Sequence, residues 1–260
     1  MRFLKNGSFS TQRSRSTMIA KRMMDVVASA LGLLLLLPAL VVIAVIIKID
    51  SSGPVFFRQE RVGRQGRPFR IFKFRSMVAG APRMGTALTV RGDARITRVG
   101  MLLRRSKLDE LPQLINVIAG DMSIVGPRPE VPEFMKFYAP DQRAIILSMR
   151  PGITDCAAIL FRDESSLLDG ECDPVDVYRR EIMPIKFAYY ERYSREVGIL
   201  NDLRIILATI LLLFAGKVPA RLGIQFDQAA AGSRTRGGGM HAHLPSSEGI
   251  IAEEPRATLR

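Results

Sequence analysis

"DVVASALGLLLLLPALVVIAVIIKID", Asp25 to Asp50, decides how the rest of this chain is placed. From Val26 to Ile47 it carries no charge, and about 20 apolar residues suffice for a helix to cross a bilayer. The run is too long for a secretory signal peptide and lacks a small-residue cleavage pattern after it. Its flanks conflict. Arg13, Arg15, Lys21 and Arg22 precede it, and Lys48, Arg58, Arg61, Arg64, Arg67, Arg70, Lys73 and Arg75 follow. Positive charge beside a membrane segment favours the cytoplasmic side, and here both ends claim that side. Pro38 stands near the middle, where proline removes a helix hydrogen bond and bends the axis. Two readings follow: a re-entrant helix-break-helix that enters and leaves by one face, or a spanning helix that tolerates its proline.

Working outward, the 260 residues are 47% hydrophobic with a net charge of +13. That suits one compact domain with extras and an anionic partner: nucleic acid, anionic lipid or a phosphorylated substrate. Cys156 and Cys172 have no metal-type spacing, so neither a disulfide framework nor a cysteine metal site is expected. His241 and His243 fall in a Gly-rich stretch that reads as solvated tail.

"PVFFRQERVGRQGRPFRIFKFRSM", Pro54 to Met77, predicts a β-hairpin turning at Gly63–Gly66. Its basic residues alternate with Phe57, Phe69, Phe72 and Phe74. Such a ribbon can stack single-stranded nucleic acid, or bury one face and offer the other to phosphate or lipid. Ala81–Thr97 reads as loop, with a helix including "VGMLLRRS" after it. A long helix is predicted over about Asp173–Arg195. The uncharged run Ile205–Gly216 fits an interfacial or buried helix capped by Asn201 or Asp202. From about Pro219 the composition loses periodicity and reads as disordered.

"RSKLDELPQLINVIAGDMSIVGPRPE", Arg105 to Glu130, holds the chemistry. Leu111, Leu114, Ile115 and Ile118 have helical spacing. Pro112 belongs in a first turn, so the helix is predicted to open near Asp109, with Ser106 or Asp109 as N-cap and Gly120 as stop. Adjacent helical residues diverge by about 100°, so Asp109 and Glu110 share a target only at a helix end, where free N–H groups also attract phosphate. The cations nearest in sequence are Arg104, Arg105, Lys107 and Arg128. Such parts suit phosphoryl transfer through an aspartate nucleophile, with Mg²⁺ and arginines stabilising charge. Acids at helix N-termini also stabilise helices with no further role, and Asp163-Glu164 repeats the dipeptide.

Taken together, Lys21–Met77, Arg95–Glu130 and "RPGITD" (Arg150–Asp155) resemble the bacterial sugar transferase family, the monotopic phosphoglycosyl transferases acting on polyprenyl phosphate. With the later amphipathic helix the likeness extends to about Lys217. The resemblance implies transfer of a sugar 1-phosphate from a UDP-sugar to undecaprenyl phosphate, releasing UMP. It implies Asp109 as nucleophile with Glu110 as its partner, both near a required Mg²⁺, and a membrane break at Pro38. Arg128 and Arg104 match basic family positions near the phosphates, and Lys73, Arg75 and Arg150 are further phosphate candidates that also suit lipid headgroups or the fold. The implied location is the bacterial inner membrane, with the active site on the cytoplasmic face. Membrane lipids are expected partners, nucleic acid is not, and a homodimer is left open. One departure stands out: many members continue "RPGIT" with Gly-Trp-Ala-Gln, where this chain has Asp155-Cys156-Ala157-Ala158. That bears on sugar or nucleobase contacts rather than on the transfer step.

The expected fold is α+β and predominantly helical. It comprises a basic segment (1–20), the re-entrant membrane hairpin (21–50), a catalytic domain with a short β-hairpin and amphipathic interfacial helices (51–217), and a disordered C-terminal tail (218–260). Two rivals remain on the residues alone. A membrane-tethered basic nucleic-acid-binding protein explains the charge but leaves "LDELPQL" and "GPRP" without purpose. A spanning anchor with a structural basic domain does the same.

Overall fold

The structure, a computed structural model, describes residues 15–81, 84–169, 172–224 and 251–252. It is predominantly helical with short strands, as the sequence predicts. Helix α1 (Arg15–Asp50) is one element of 36 residues with Pro38 inside it. It starts within the expected basic segment, and the expected interruption at Pro38 is absent from its secondary structure. Proline forfeits one backbone bond and bends the axis, but the bonds of the flanking turns carry the helix on.

The burial of α1 is inside out. Lys21, Asp25 and Ser29, one per turn on a shared face, are buried, while Leu34 and Leu35 are 68% and 78% exposed. Lys21 pairs with Asp202 and donates to the Val125 carbonyl at 3.1 Å. Asp25 accepts from Ser123 Oγ at 2.8 Å and from the Ile124 N–H at 3.1 Å. At the far end Ile47 packs with Phe74 and Leu103. Both ends of α1 therefore attach to one body. Among the described residues it is the one helix long and apolar enough to cross a membrane.

Strands β1 (Phe56–Val62) and β2 (Pro68–Phe74) form the expected antiparallel hairpin, with Phe56 opposite Phe74. Gln65 (φ 60°) and Gly66 (φ 75°) turn the chain between them. Phe69 and Ile71 point inward onto Val117 and Met122, while Arg58 lies over the Phe72 ring at 3.4 Å. Helix α2 (Arg98–Ser106) is capped by Thr97, which accepts from the Gly100 N–H at 2.9 Å.

The acid pair does not open a helix, as expected, but occupies a separate 3-10 turn, Leu108–Glu110. Helix α3 (Gln113–Ala119) begins only after Pro112, which has no N–H to give and sits at the N-cap position. Neither proposed cap serves: Ser106 bonds back to the Leu102 carbonyl at 2.8 Å. Gly120 does end α3, at φ 97°. Asn116 ties α3 to the hairpin, accepting from the Phe72 N–H at 2.8 Å and donating to the Arg70 carbonyl at 3.0 Å.

Strand β3 (Ser123–Val125) runs parallel to β4 (Gly152–Thr154), with α4 (Pro132–Met135) and α5 (Pro140–Leu147) between them in sequence. A Cβ at Gly152 would lie 2.2 Å from the Gly126 nitrogen, so this crossing needs glycine. The helices α6 (Cys156–Leu160), capped by Asp155, and α7 (Glu164–Leu167) follow. Next, α8 (Pro174–Val177), a π turn (Tyr178–Ile182) and α9 (Met183–Glu196) make the predicted long helix. The π turn precedes Pro184, whose ring would otherwise press on the carbonyl four residues back.

Helix α10 (Ile199–Ala215) has Gly198 at its N-cap, not Asn201 or Asp202. Asp202 is instead fully buried. Tyr190, Ile182, Ile205, Ile159 and Val125 join in the main core. The outer face of α10 is apolar too, with Leu200 and Phe214 74% and 88% exposed. The disordered tail expected from 218 is corrected at its start: Val218–Pro219 pairs with Ile251–Ala252, and Val218 is buried. Residues 225–250, with His241 and His243, and 253–260 lie outside the described residues, as do 1–14.

Candidate active site

Five segments bring charge to one place. The 3-10 turn supplies Asp109 and Glu110, β2 supplies Lys73, and α2 supplies Arg104. Lys107 follows in a left-handed conformation (φ 59°) that ends α2, and Arg128 comes from the "GPRP" segment after β3. Both acids are buried, at 5% and 8% exposure, which is unusual for carboxylates without partners.

Their partners differ. Lys73 Nζ donates to Glu110 Oε1 at 2.9 Å. Arg128 grips the same carboxylate with both terminal nitrogens, Nη1 to Oε2 at 3.0 Å and Nη2 to Oε1. Burial on its own would raise the Glu110 pKa, but Arg128, Lys73 and Lys107 together hold it well below the usual carboxylate range. The same contact raises Arg128. Burial pushes Lys73 down, against the pull of Glu110.

Asp109 has no such grip. Its Oδ1 is buried and meets no hydrogen-bond partner. Burial, with the neighbouring Glu110 charge, raises its pKa against the pull of Lys73, Arg104 and Lys107. One carboxylate is saturated by cations, and the other is left with an open oxygen in their field. An orphaned buried oxygen in a native fold calls for a partner that binds there.

Lys73, Arg104 and Arg128 thus lie beside the acid pair. Arg75 and Arg150 do not. Arg75 Nη2 donates to the Ile47 carbonyl at 3.2 Å, to the Ser51 carbonyl at 2.6 Å and to Ser51 Oγ at 2.9 Å, bracing the end of α1. Arg150 Nε donates to the Gly120 carbonyl at 3.0 Å, at the opposite end of α3 from the acid pair. Charge near a motif carries no direction in sequence, and here the backbone turns both side chains away. Arg105 is exposed on α2.

Sequence reasoning passed over Arg61, which donates to the Pro129 carbonyl at 3.0 Å behind Arg128. Its signal was the strand alternation that turns Arg61 to the same side as Gln59. Asp155, where the departure from the family's usual continuation begins, is a buried cap: its Oδ1 accepts from the Ala158 N–H at 2.9 Å. Its Oδ2 has no partner, and burial pushes it up to about 6.

Residues 16–216 match the family described as bacterial sugar transferase. A UDP-glucose:undecaprenyl-phosphate glucose-1-phosphate transferase of Caulobacter vibrioides is 39% identical over 74% of this chain and 68% of its own length. A UDP-N-acetylgalactosamine-undecaprenyl-phosphate N-acetylgalactosaminephosphotransferase of Aeromonas hydrophila is 37% identical over 75% of this chain, but over only 44% of itself. The exopolysaccharide production protein PSS of Rhizobium leguminosarum bv. phaseoli is 36% identical over 75% of this chain and 94% of its own.

Proposed function

Because the chain belongs to the bacterial sugar transferase family, we propose that it moves a sugar 1-phosphate from a UDP-sugar to undecaprenyl phosphate through Asp109. This would be the first membrane step of an exopolysaccharide or related glycan. The reading is carried by the asymmetry of the acid pair: Glu110 is locked between Lys73 and Arg128, while Asp109 Oδ1 is unpartnered.

In the first displacement the Asp109 oxygen attacks the sugar-linked phosphorus. The bond from that phosphorus to the bridging oxygen breaks, and UMP leaves with the electron pair. In the second, an oxygen of polyprenyl phosphate attacks the same phosphorus. The bond to Asp109 breaks, giving polyprenyl-diphosphate sugar and the free carboxylate. Splitting one displacement into two is the ordinary gain of covalent catalysis. Lys73, Arg104, Lys107 and Arg128 offset the charge that builds on the phosphoryl oxygens. Glu110 acts as a positioning residue that aims Lys73 and Arg128.

Magnesium fits this site through Asp109. Mg²⁺ takes one or two carboxylates together with phosphate oxygens, and Asp109 Oδ1 is buried without a partner. Glu110 fits less well as a direct ligand, since its oxygens are engaged by Lys73 and Arg128. Bound there, the ion would supply Lewis-acid stabilisation of phosphoryl charge.

The membrane segment belongs to the same proposal: α1 is re-entrant, bending at Pro38 rather than breaking there, and the site faces the cytoplasm. Support comes from attachment of both ends of α1 to one domain, through Lys21 and Asp25 at one end and Ile47 at the other. Cysteines at Ile19 and Ser52 should both react only with cytoplasmic label in intact cells, and periplasmic labelling of either one defeats this topology. For the chemistry, purified protein is given a UDP-sugar radiolabelled in its sugar-linked phosphate, without acceptor, and rapidly quenched. A labelled protein adduct with matching UMP is expected. UMP that appears only after polyprenyl phosphate is added would favour direct displacement instead.

A further inference from the structure

The acid pair stands before α3, and a second charged cluster stands after it. Three guanidiniums meet there: Arg22 from α1, Arg64 from the hairpin turn and Arg150 from the approach to β4. They border one shallow cleft at the surface, which Lys21 and Asp25 of α1 also line. Arg22 and Arg150 are held in place by the end of α3. Arg22 donates to the Ile118 carbonyl at 3.2 Å and the Met122 carbonyl at 3.4 Å, and Arg150 Nε to the Gly120 carbonyl.

Those contacts leave donors over. Among the described residues, no ion pair is formed by Arg22, Arg64 or Arg150. Arg64 makes no side-chain hydrogen bond, and Arg150 uses only its Nε. Asp25, the acid facing the cleft, has its two oxygens engaged by Ser123 and the Ile124 N–H. Burial and then the charges of Arg22 and Arg64 lower the Arg150 pKa against a pull from Asp25, so Arg150 feels repulsion from both arginines. An anion between them would turn that repulsion into charge-assisted hydrogen bonding, for which the guanidinium fork suits phosphate oxygens.

Depth selects the anion. Arg22 lies four residues before the uncharged run that starts at Val26, about 6 Å along a helix. If α1 enters the bilayer there, the cleft sits at the level of lipid phosphates. α3, seven residues and about 10 Å long, lies between the acid pair and this cluster, so this phosphate is not the one that reacts. We propose that Arg22, Arg64 and Arg150 form a binding site for the headgroup phosphate of an anionic phospholipid, separate from the catalytic site. The proposal rests on α1 lying in the membrane, but not on the transferase reading, because its test reads binding rather than turnover.

The full chain in non-ionic detergent is melted with increasing dioctanoyl phosphatidylglycerol, dioctanoyl phosphatidylcholine or inorganic phosphate. Phosphatidylglycerol should raise the Tm saturably, and less so as salt rises. The other two should leave it unmoved at the same concentrations. Arg64→Ala is the clean variant, since Arg64 holds no backbone; it should raise the midpoint by about tenfold, the worth of one charged hydrogen-bonding group. Arg150→Gln should do likewise, and Arg70→Ala, an exposed arginine of the same hairpin outside the cleft, should not. An equal shift with phosphatidylcholine would mean general coating of α1 and overturns the site. An equal shift with inorganic phosphate overturns the headgroup assignment, and an unchanged midpoint in Arg64→Ala overturns the cluster. Whether α1 is embedded is read separately, by the labelling of Ile19 and Ser52 positions.

Discussion

Two of the buried carboxylate clusters among the described residues are built to opposite rules. Where α1 meets the domain, Asp202 accepts from Lys21 and from Tyr193 Oη at 2.7 Å, while Asp25 accepts from Ser123 and Ile124. Those contacts engage all four carboxylate oxygens. Beside α3, Glu110 is as well supplied, but Asp109 keeps a buried oxygen without a partner. The first cluster is what a fold does with polar groups it must bury. The second leaves desolvation uncompensated at one atom, which a fold tolerates where something else is to bind. The contrast holds for these two pairs; what marks Asp109 beyond Asp155, whose Oδ2 is likewise unpartnered, is the ring of cations around it.

The sharpest way to break the comparison is to substitute within each cluster. Asp109→Asn removes the nucleophilic oxygen and should lower turnover by at least about 10⁴-fold, in line with loss of a covalent nucleophile. It should leave the Tm unchanged or raised, since an uncompensated buried charge disappears with it. A coupled assay and a thermal melt on one preparation check both. A large fall in Tm would place Asp109 in the anchoring class.

Asp202→Ala should do the reverse. It takes the nearer acid from buried Lys21 and leaves only Asp25 at 3.8 Å, and breaking such a pair costs up to about 3–5 kcal/mol. Denaturant unfolding in detergent reads the loss. Activity per folded molecule should survive, because Asp202 touches none of the site residues. The double variant Lys21→Met with Asp202→Leu should recover much of the stability, since replacing both partners removes the stranded charge.

Arg128 tests the aiming of Glu110. Arg128→Ala should lower kcat by about 10²–10³-fold, as expected for one donor to a developing oxyanion. Arg128→Lys should keep part of the rate, since it retains charge but loses the paired grip. Steady-state kinetics over a range of UDP-sugar decides it, and wild-type rates for both variants would remove Arg128 from the site.

The smallest effect concerns Asp155, a carboxylate that belongs to neither cluster. Its folded pKa is raised to about 6 by burial, above the ordinary 3.8. The folded protein therefore holds the Asp155 proton more tightly than the unfolded chain, and stability falls as pH climbs from about 4 to about 6. The full loss amounts to at most about 3 kcal/mol above that window. Asp155→Asn keeps the cap on α6 and should flatten that part of the pH profile, gaining stability at neutral pH. Unfolding midpoints at pH 5 and pH 7.5 for both proteins test this.

Much of the chain was legible because the relevant physics is local. Alternating aromatic residues closed by a Gly-bounded turn make β1 and β2 whatever surrounds them, and Gly120 ends α3 because its left-handed conformation suits glycine. The acid pair was legible as a site, but the division between its members was not. Glu110 meets Lys73 from 37 residues away and Arg128 from 18, and no pattern near residue 110 announces either.

The sequence by itself determined that an uncharged helix-forming run precedes a basic domain, and that two acids stand just ahead of a proline that limits the next helix. Hydropathy and dihedral preference act over a few residues, so they can be read in order along the chain. Only the tertiary structure decided which cations serve the acids. Lys73, Arg104 and Arg128 converge on them, while Arg75 braces α1 and Arg150 turns to the far end of α3. Only it decided, too, that Lys21, Asp25 and Ser29 face inward and the leucines outward. An ion pair or an orphaned oxygen depends on distances between segments far apart in sequence, and those distances exist only once the chain has packed.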